Sequence, residues 1–331
     1  MKKLALGICA AFGMGIMILS YASPDNAATK VTAQYAYTTG NNSGPQNIIV
    51  CEVTENGALT ACQNNPPEEI YFVTDIDFNT VNNTTYAYLA RNVSDGISPM
   101  KFCTVNTSTA FLESCETVPG TKLNNTMSVT VRTAEDQQTY AYMTARYNPN
   151  IIRCNLANGK ITENDCKTLA ATFPSFAYNL SFQEFNDQAY VYVTSRGGNN
   201  VTRCEVDNTG DLVSDTCINM GITYYYPYNI EFVSVGAQVF SYVTSDTYPS
   251  IIKCEVDTTT GLFLADTCGS ISGTSSTWGI TANTAANGET YYYLASSPTN
   301  SNNFIRQCSP IDDTCVNLGL FNPAIRSIRF R

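Results

Sequence analysis

The chain carries six copies of a Tyr-x-Tyr motif, or a close variant of it, at intervals of about 50 residues. The copies are Tyr35/Tyr37, Tyr86/Tyr88, Tyr140/Tyr142, Tyr190/Tyr192, Phe240/Tyr242 and Tyr291/Tyr293. A regular period of this length is typical of repeat proteins, in which similar units bury their apolar faces against one another. We expect the aromatic pairs to pack between repeats, because large aromatic side chains supply most of the burial in such interfaces.

The fifth repeat shows most clearly how one unit folds. Polar and apolar residues alternate in its first segment, as they do in a half-buried strand. Gly236 separates the first two segments and Thr260-Gly261 the last two, as in hairpin turns. The four segments are Asn229–Val233, Phe240–Thr244, Ile251–Val256 and Leu262–Cys268. Four short antiparallel strands per repeat predict one blade of an all-β propeller.

A second motif gives the number of blades. It has four positions: a small or polar residue, an aliphatic residue, any residue and an apolar residue. It precedes every Tyr-x-Tyr except the first. The copies are Asp75–Phe78, Ser128–Val131, Asn179–Phe182, Asn229–Phe232, Gly279–Ala282 and, at the C-terminal end, Ser327–Phe330. The last strand should therefore complete the first blade and close the ring, which leaves no open edges. The sequence predicts a six-bladed β-propeller with four antiparallel strands per blade.

The cysteines form one local pair in each repeat. Thirteen are present, and twelve remain when Cys9 is set aside as part of the N-terminal segment. The pairs are Cys51/Cys62, Cys103/Cys115, Cys154/Cys166, Cys204/Cys217, Cys254/Cys268 and Cys308/Cys315. Even numbers at regular spacing in an exported chain indicate disulfides. Each bridge would join the third strand of a blade to its outer strand and so protect an exposed edge.

The N-terminus resembles a bacterial secretory signal. Lys2 and Lys3 precede an apolar run, and Ser20-Tyr21-Ala22 suits a cleavage site. A retained membrane anchor is the alternative, but the run is short for a spanning helix. We predict a signal peptide over 1–22, a short segment over 23–30 and a single propeller domain over 31–331. The mature protein would be a monomer without a membrane span, in the periplasm, on the cell surface or outside the cell.

Charge and composition exclude some classes of binding partner and of catalytic site. The chain has 18 basic and 28 acidic residues and no histidine. An acidic surface disfavours nucleic acid, whose binding rests on basic patches. Without histidine, Ser-His-Asp and Cys-His nucleophile systems and histidine-bound metals are excluded.

Two repeats resemble the YVTN-type repeat of surface-layer proteins and of the lactonase-like propeller superfamily. The likeness rests on Tyr192–Ser195 with Thr209–Leu212, and on Tyr242–Ser245 with Thr260–Leu262. It implies a propeller fold and, more loosely, a lactonase-like hydrolase. The chain departs from those proteins in having six blades instead of seven and a cysteine pair in every blade. No catalytic residue of the family matches a position here.

Three arginines follow second strands in consecutive blades and form one candidate site. Arg91, Arg146 and Arg196 could form an anion-binding cluster. The alternative is that each pairs with a nearby acid such as Asp95 or Glu163, as surface charges commonly do.

A second candidate site lies at the start of the innermost strands. Asp75, Asn179 and Asn229 occupy equivalent positions, and their oxygens could hold Ca²⁺. Short polar side chains also bond backbone groups at strand ends, which is the competing interpretation. A third set of basic residues near the third-strand cysteines is interpreted as structural, through cross-strand charge pairs. This set comprises Lys101, Arg153, Arg203, Lys253 and Arg306.

Two functions from different classes follow. The first is an exported, non-catalytic binding module for a protein, a glycan or a small ligand, without a cofactor. The second is a metal-dependent lactonase or esterase-like hydrolase with its site in the central channel. A structural role in the cell envelope is a third, weaker hypothesis.

Overall fold

The computed structural model describes residues 35–331 except 41–47, 67–69, 93–98, 147, 170–172, 174–175, 223, 246, 248–249, 272–275, 297–302 and 321–324. The predicted signal peptide over 1–22 and the segment over 23–30 lie outside the described residues. Within the described part, the strands are joined by turns and by two short 3-10 turns, Glu163–Asp165 and Ala265–Thr267. No helix in that part has the length and apolar content needed to cross a bilayer.

Six antiparallel sheets form the blades of a propeller, which confirms the predicted fold class. Strands are numbered β1 to β25 in chain order, and blades one to six follow the chain. The innermost strands of blades one to six are β25 (Ile325–Phe330), β4 (Val73–Val81), β8 (Thr126–Thr133), β12 (Ala177–Phe185), β16 (Pro227–Val235) and β21 (Thr277–Thr284). The second strands are β1 (Tyr35–Gly40), β5 (Thr84–Arg91), β9 (Thr139–Ala145), β13 (Gln188–Ser195), β17 (Gln238–Ser245) and β22 (Thr290–Ser296).

The outer half of each blade contains the third and fourth strands. The third strands are β2 (Ile48–Val53), β6 (Lys101–Val105), β10 (Asn148–Asn155), β14 (Asn200–Val206), β18 (Ile251–Asp257) and β23 (Phe304–Cys308). The fourth strands are β3 (Leu59–Asn64), β7 (Leu112–Thr117), β11 (Cys166–Thr168), β15 (Leu212–Asn219), β19 (Leu262–Phe263) with β20 (Gly269–Ser270), and β24 (Cys315–Leu320). In blade five the outer strand is split, and both pieces pair with β18. Cys268 lies between the two pieces, whereas the sequence predicted one continuous segment over Leu262–Cys268.

The C-terminal strand closes the ring as predicted. β25 pairs antiparallel with β1, placing Arg329 opposite Tyr37 and Ile328 opposite Thr38. Each innermost strand contacts the innermost strands of both neighbouring blades, including β25 with β4 and with β21. The two ends of the described chain thus share one sheet.

All six predicted disulfides are present. Each joins the third strand of a blade to its outer strand or, in blade five, to the turn that interrupts the outer strand. The bridges are Cys51–Cys62, Cys103–Cys115, Cys154–Cys166, Cys204–Cys217, Cys254–Cys268 and Cys308–Cys315. Six disulfides fit an exported protein, because exported compartments are oxidising.

The place of the outer cysteine in its ladder differs between blades. In blades three and six it lies directly opposite its partner, as in the pair Cys154 and Cys166 between β10 and β11. The registers of blades one, two and four instead shift at the third-strand cysteine, so Cys62, Cys115 and Cys217 lie on β-bulges of the outer strand. A bulge twists the edge of a sheet away from further pairing, which adds to the protection that the bridge gives.

The two cysteines of a bridge at a bulge differ in their exposure to solvent. Cys51 and Cys204 are fully buried, whereas Cys62 is exposed and Cys217 is half-buried. Both bridges form as predicted, and the extra residues of the bulges lie on the outer strands of their blades.

The second tyrosine of each Tyr-x-Tyr motif holds neighbouring blades together. These side chains are fully buried, and their hydroxyls reach the hairpin turn between the third and fourth strands of the next blade. The bonds are Tyr37 to Ala110 O (2.7 Å), Tyr88 to Gly159 O (2.8 Å), Tyr142 to Gly210 O (2.8 Å), Tyr192 to Gly261 O (2.6 Å), Tyr293 to Gly57 O (2.8 Å) and Tyr242 to the Asp313 carboxylate (3.3 Å). Packing between blades is therefore combined with a directed bond from this tyrosine at each interface.

The first aromatic residue of the motif lies under a basic side chain. The guanidinium of Arg153 is 4.1 Å from the Tyr140 ring, and that of Arg203 is 4.5 Å from the Tyr190 ring. Arg153 and Arg203 also donate to the Thr209 and Thr260 carbonyls in the turn of the next blade. The predicted structural role therefore extends between blades, where the prediction had placed charge pairs within one sheet.

Lysine repeats this arrangement in blade five, whereas the basic residue of blade six differs. Lys253 contacts the Asp313 carboxylate of blade six at 3.0 Å. Arg306 bonds Asn317 across its own sheet at 3.2 Å, and Gln307 takes the interblade position by donating to Asn56 O. Arg306 lies two residues before its cysteine, whereas Arg153, Arg203 and Lys253 lie one residue before theirs. In a strand this offset of one places the side chain on the other face.

Removing one interblade hydroxyl should measurably destabilise the ring. In the Tyr142→Phe variant the buried Gly210 carbonyl loses its partner, and we expect the free energy of unfolding to fall by about 1–3 kcal/mol. The matched control is Tyr291→Phe, whose hydroxyl bonds an exposed Glu289 carboxylate and should matter little. Urea denaturation of both variants measures the difference. Equal midpoints for Tyr142→Phe and the control would contradict the assigned role.

Removing one disulfide should also destabilise the protein. Cys103 and Cys115 are 12 residues apart, and a loop of this length corresponds to about 3 kcal/mol in the chain-entropy account. We expect the double variant Cys103→Ala/Cys115→Ala to unfold at lower denaturant than the parent protein. Addition of reductant should shift the parent in the same direction. A variant that unfolds at the parental midpoint would show that the bridge does not constrain the unfolded chain.

Candidate ligand-binding site

A cavity of about 170 Å³ lies at the end of the ring where the innermost strands begin. Every blade contributes the residue that directly precedes its innermost-strand motif. These residues are Thr74, Met127, Tyr178, Tyr228, Trp278 and Arg326. Because all six blades meet there, the cavity lies around the axis of the ring.

A β-bulge directs these residues toward the cavity. In each blade the register between the innermost and second strands shifts at this point. In blade four, Ala177 is opposite Ser195 and Asn179 is opposite Thr194, so Tyr178 is the extra residue. A bulge leaves the extra residue unpaired and re-aims its side chain. It therefore lets two successive residues face one cavity, which a regular strand does not allow.

Threonines of the neighbouring second strands fix the three aromatic bulges. Thr144, Thr194 and Thr244 each lie two residues after the buried tyrosine of their blade. Their hydroxyls donate to the backbone carbonyls of Tyr178 (2.9 Å), Tyr228 (2.9 Å) and Trp278 (3.0 Å) in the next blade. The aromatic wall is thus held by the same strands that carry the repeat motif.

The aromatic side chains and two arginines form a continuous arc. The Tyr178 and Tyr228 rings meet edge to face at 4.8 Å, and the Tyr228 and Trp278 rings are 6.1 Å apart. The Arg326 guanidinium lies 3.5 Å from the centre of the Trp278 ring. The Arg196 guanidinium lies 5.3 Å from the Tyr228 ring. Cations over aromatic faces are attracted by the ring quadrupole.

Two of the three arginines predicted from the sequence line the cavity, and the third does not. Arg146 and Arg196 are in the lining, whereas Arg91 donates to the Tyr71 and Pro99 carbonyls at 2.9 and 3.2 Å. Arg146 and Arg196 lie four residues after the buried tyrosine of their blade, but Arg91 lies three after Tyr88. Asn92 takes the cavity position in blade two. The predicted equivalence of Arg91 was therefore off by one residue.

The acids suggested as alternative partners do not alter this placement. Asp95 lies outside the described residues. Glu163 accepts the backbone N–H groups of Thr121 and Lys122 at 3.0 and 2.8 Å.

The cavity is positively charged in an acidic protein. Arg146, Arg196 and Arg326 face a single carboxylate, Asp75, although the whole chain has a formal charge of −10. Burial lowers the pKa of Arg326, and the nearby Arg196 lowers it further. The Arg326 guanidinium is thus a partly desolvated cation, which favours an anion beside it.

The predicted calcium ligands line the same cavity, but two of the three are engaged with the backbone. The Asp75 carboxylate accepts the N–H groups of Ile76 (3.0 Å) and Val129 (3.3 Å). The Asn179 side-chain oxygen accepts the N–H of Ile230 at 3.4 Å. The Asn229 oxygen has no hydrogen-bond partner among the described residues.

The competing interpretation, bonding to the backbone, thus describes Asp75 and Asn179. One unengaged oxygen does not fit the six to eight hard ligands that Ca²⁺ prefers. The calcium site stays a prediction without support from this donor set. Within the described residues, no group of three or more Cys, Asp or Glu side chains is placed to hold a metal.

A cluster of charged residues lies deeper in the ring, two residues after the first position of the innermost-strand motif. Asp77, Glu231 and Arg329 occupy the third position of the innermost-strand motif in their blades. The Arg329 guanidinium lies 3.6 Å from the Asp75 carboxylate and 3.9 Å from that of Glu231. Burial raises the pKa of Asp77 to about 6 and also raises those of Asp75 and Glu231. Burial alone would lower the pKa of Arg329, but the three carboxylates together raise it.

Sequence reasoning missed the most distinctive residues of the cavity. Tyr178, Tyr228, Trp278 and Arg326 were not singled out, because their position does not repeat in residue type. The signal that could have found them is positional, since each directly precedes the innermost-strand motif.

No protein-family model and no curated protein sequence matches the chain. Solved structures do match. A candidate 6-phosphogluconolactonase from Bacteroides fragilis superposes with a TM-score of 0.56 at 11% identity, covering 92% of this chain and 99% of its own. A protein of unknown function from Dyadobacter fermentans gives 0.56 at 8% identity, covering 83% and 93%. A thermostable family-43 glycoside hydrolase gives 0.50 at 12% identity, covering 80% and 100%.

At such low identity these likenesses show the propeller fold alone. The fold implied by the lactonase-like resemblance is confirmed, and membership of the YVTN-type family stays a prediction.

The buried carboxylates should make stability depend on pH. Because the folded-state pKa of Asp77 is above its unfolded value, the contribution of protonated Asp77 is full below about pH 4 and is lost as the pH rises through about 6. Asp75 and Glu231 act in the same direction. We expect the free energy of unfolding, measured by urea denaturation, to fall between pH 5 and pH 7.5, and to fall by about 1–1.5 kcal/mol less in Asp77→Asn.

The matched control is Asp266→Asn, which changes an exposed carboxylate and should keep the parental pH dependence. An Asp77→Asn variant with the parental slope would show that Asp77 is not the titrating group.

Proposed function

We propose that the protein is an exported binding module that holds a small anionic ligand in the arginine-lined cavity. The observation that carries the proposal is the convergence of Arg146, Arg196 and Arg326 from three blades on one cavity with an aromatic wall. Guanidinium groups bind carboxylate and related anions through charge-assisted and often bidentate hydrogen bonds.

Electrostatics supports an anion over a neutral ligand. Arg326 carries an Nε–H without a hydrogen-bond partner among the described residues, and burial already lowers its pKa. An anion placed between Arg196 and Arg326 would offset both the desolvation and the mutual repulsion of the two cations. A neutral ligand would leave these terms in place.

Rigidity of the site supports binding as the activity. The aromatic bulges are fixed by threonine hydroxyls, and the strands below them are held by interblade tyrosines and disulfides. A preformed site loses little conformational entropy when its ligand binds, which favours affinity.

Hydrolysis in the channel is the second candidate. The observation that favours it is the buried cluster of Asp77 and Glu231, whose raised pKa values suit a proton donor near neutral pH. A metal-dependent form has less support, because the Arg329 guanidinium already pairs with the carboxylates of Asp75 and Glu231. Turnover of a lactone, aryl ester or aryl glycoside that is abolished in Asp77→Asn would favour this candidate over the binding module.

Replacing a cavity arginine should weaken anion binding. The chain has a single tryptophan, Trp278, and it lies in the cavity, so tryptophan fluorescence reports directly on the site. A panel of carboxylates, phosphate, sulfate and phosphorylated sugars would be titrated against the parent protein and Arg326→Gln. Loss of a charge-assisted hydrogen bond should weaken binding about 10- to 100-fold.

The control variant is Arg91→Gln, which removes an arginine from outside the cavity. It should bind the same anion with parental affinity, although the Tyr71 and Pro99 carbonyls lose their donor and stability falls. The proposal fails if no anion of the panel changes the fluorescence, or if Arg326→Gln binds as tightly as the parent.

A further inference from the structure

Two exposed tyrosines, Tyr225 and Tyr226, lie in the connection between blades four and five, and Arg196 of the cavity lining contacts the Tyr226 ring. Tyr225 is 59% exposed and Tyr226 is 45% exposed, whereas the adjacent Tyr224 is buried. Exposed aromatic side chains next to a polar cavity indicate a ligand-binding surface, because removing their apolar area from water by contact with a ligand is favourable.

Hydrogen bonds hold the backbone of these tyrosines in place. The N–H of Tyr224 donates to Asn199 O, and the N–H of Tyr226 donates to the Asn199 side-chain oxygen, both at 3.1 Å. The Tyr225 carbonyl accepts the hydroxyls of Ser245 and Thr247. The two exposed rings are therefore presented from a fixed backbone, which limits the entropy cost of binding.

Arg196 links these rings to the cavity. Its guanidinium lies 5.1 Å from the Tyr226 ring on the outside and 5.3 Å from the Tyr228 ring in the cavity lining. A ligand whose anionic group contacts Arg196 would therefore have its next group against Tyr226.

The cavity offers hydrogen-bond acceptors as well as donors. The Nε1–H of Trp278 and the Nε–H of Arg326 have no partner among the described residues, and neither has the side-chain oxygen of Asn229. Asn229 is only 6% exposed, so its free oxygen needs a donor from the ligand. Sulfate and acetate only accept hydrogen bonds, whereas a hydroxyl group, including that of hydrogen phosphate, both donates and accepts. A ligand that satisfies all three groups carries hydroxyls in addition to its anionic group.

The volume of the cavity limits how much of the ligand can be buried. About 170 Å³ corresponds to roughly six water molecules at about 30 Å³ each, which is comparable to one sugar ring. Any further sugar of the ligand has to lie outside, against Tyr226 and Tyr225.

We infer that the ligand is the acidic end of an oligosaccharide, with a uronic acid residue in the cavity and the next sugars against Tyr226 and Tyr225. The carboxylate contacts Arg196 and Arg326, and the hydroxyls bond Asn229 and Trp278. This inference rests on the proposed function, because it names the class of anion that the same cavity takes.

The test is a titration of the full chain, followed by Trp278 fluorescence and calorimetry. The probes are galacturonate, glucuronate, trigalacturonate, galactose, acetate, phosphate, sulfate and tri-glutamate. We expect the uronates to bind and galactose not to bind. Trigalacturonate should bind about three- to tenfold more tightly than galacturonate, because additional rings stack on the tyrosines.

The variants Tyr225→Ala and Tyr226→Ala should lose this gain, so that each binds trigalacturonate no more tightly than it binds galacturonate. The control is Val316→Ala, which truncates an exposed apolar side chain on the outer strand of blade six and should change neither affinity. Circular dichroism of each variant checks that the fold is retained.

The outcomes separate the two proposals. If phosphate, sulfate or acetate binds and the uronates do not, the sugar-acid inference is overturned while the anion site stands. If tri-glutamate binds as tightly as trigalacturonate, or if both tyrosine variants keep the gain, the oligosaccharide is overturned as the ligand. If no anion binds, the proposed function itself fails.

Discussion

The bond between a buried tyrosine hydroxyl and the hairpin turn of the next blade is the constraint on which the ring depends. A propeller blade has two apolar faces, and the hydrophobic effect that brings these faces together is non-directional. The tyrosine adds a directed bond at a set distance from the axis, and the aromatic ring below it packs against the next innermost strand, as in the pairs Tyr37–Phe78 and Tyr192–Phe232 at 4.6 Å. The turn must come close enough to accept the bond. At Gly210, with φ of +79°, an added Cβ would lie 2.4 Å from the Tyr142 hydroxyl oxygen. The regular tyrosines and the glycine turns are thus two halves of one interaction.

This dependence explains which features the sequence predicts well. The fold, the closure by β25 and all six disulfides were predicted because they involve positions that repeat in residue type, and a repeated interface demands the same side chain each time. The bulges that carry Cys62 and Cys217 were not predicted, because the spacing of the cysteine pairs does not repeat and ranges from 7 residues in Cys308–Cys315 to 14 in Cys254–Cys268. The arginine site was predicted only in part. Arg146 and Arg196 share one register, whereas Arg91 is shifted by one residue, and a shift of one reverses the face of a strand. Reliable prediction at this level requires counting from the buried tyrosine of each blade.

The cavity shows why repetition is a poor guide to function in such a fold. Its lining comes from the bulged residue of each blade, and the bulge occurs in every blade irrespective of the side chain that it carries. Backbone geometry therefore supplies six equivalent positions around the axis, and packing does not dictate what fills them. In blades four to six and in blade one these positions hold Tyr178, Tyr228, Trp278 and Arg326, whereas blades two and three supply Thr74 and Met127. A symmetric scaffold thus produces an asymmetric site, with a broad aromatic and cationic wall facing a smaller one.

The charges along the axis set how deep an anion can go. Arg146, Arg196 and Arg326 line the cavity, and behind them, at the third position of the innermost-strand motif, Asp77 and Glu231 outnumber the single Arg329. An anionic group that moved past the arginines would approach partly desolvated carboxylates, where like charges interact strongly because screening by water is weak. The second carboxylate layer therefore confines an anion to the first layer of side chains. The raised pKa of Asp77, about 6, means that this barrier weakens as the pH falls toward 5 and the carboxyl becomes neutral. The same burial that makes the deeper cluster costly for folding thus helps to define where a ligand stops.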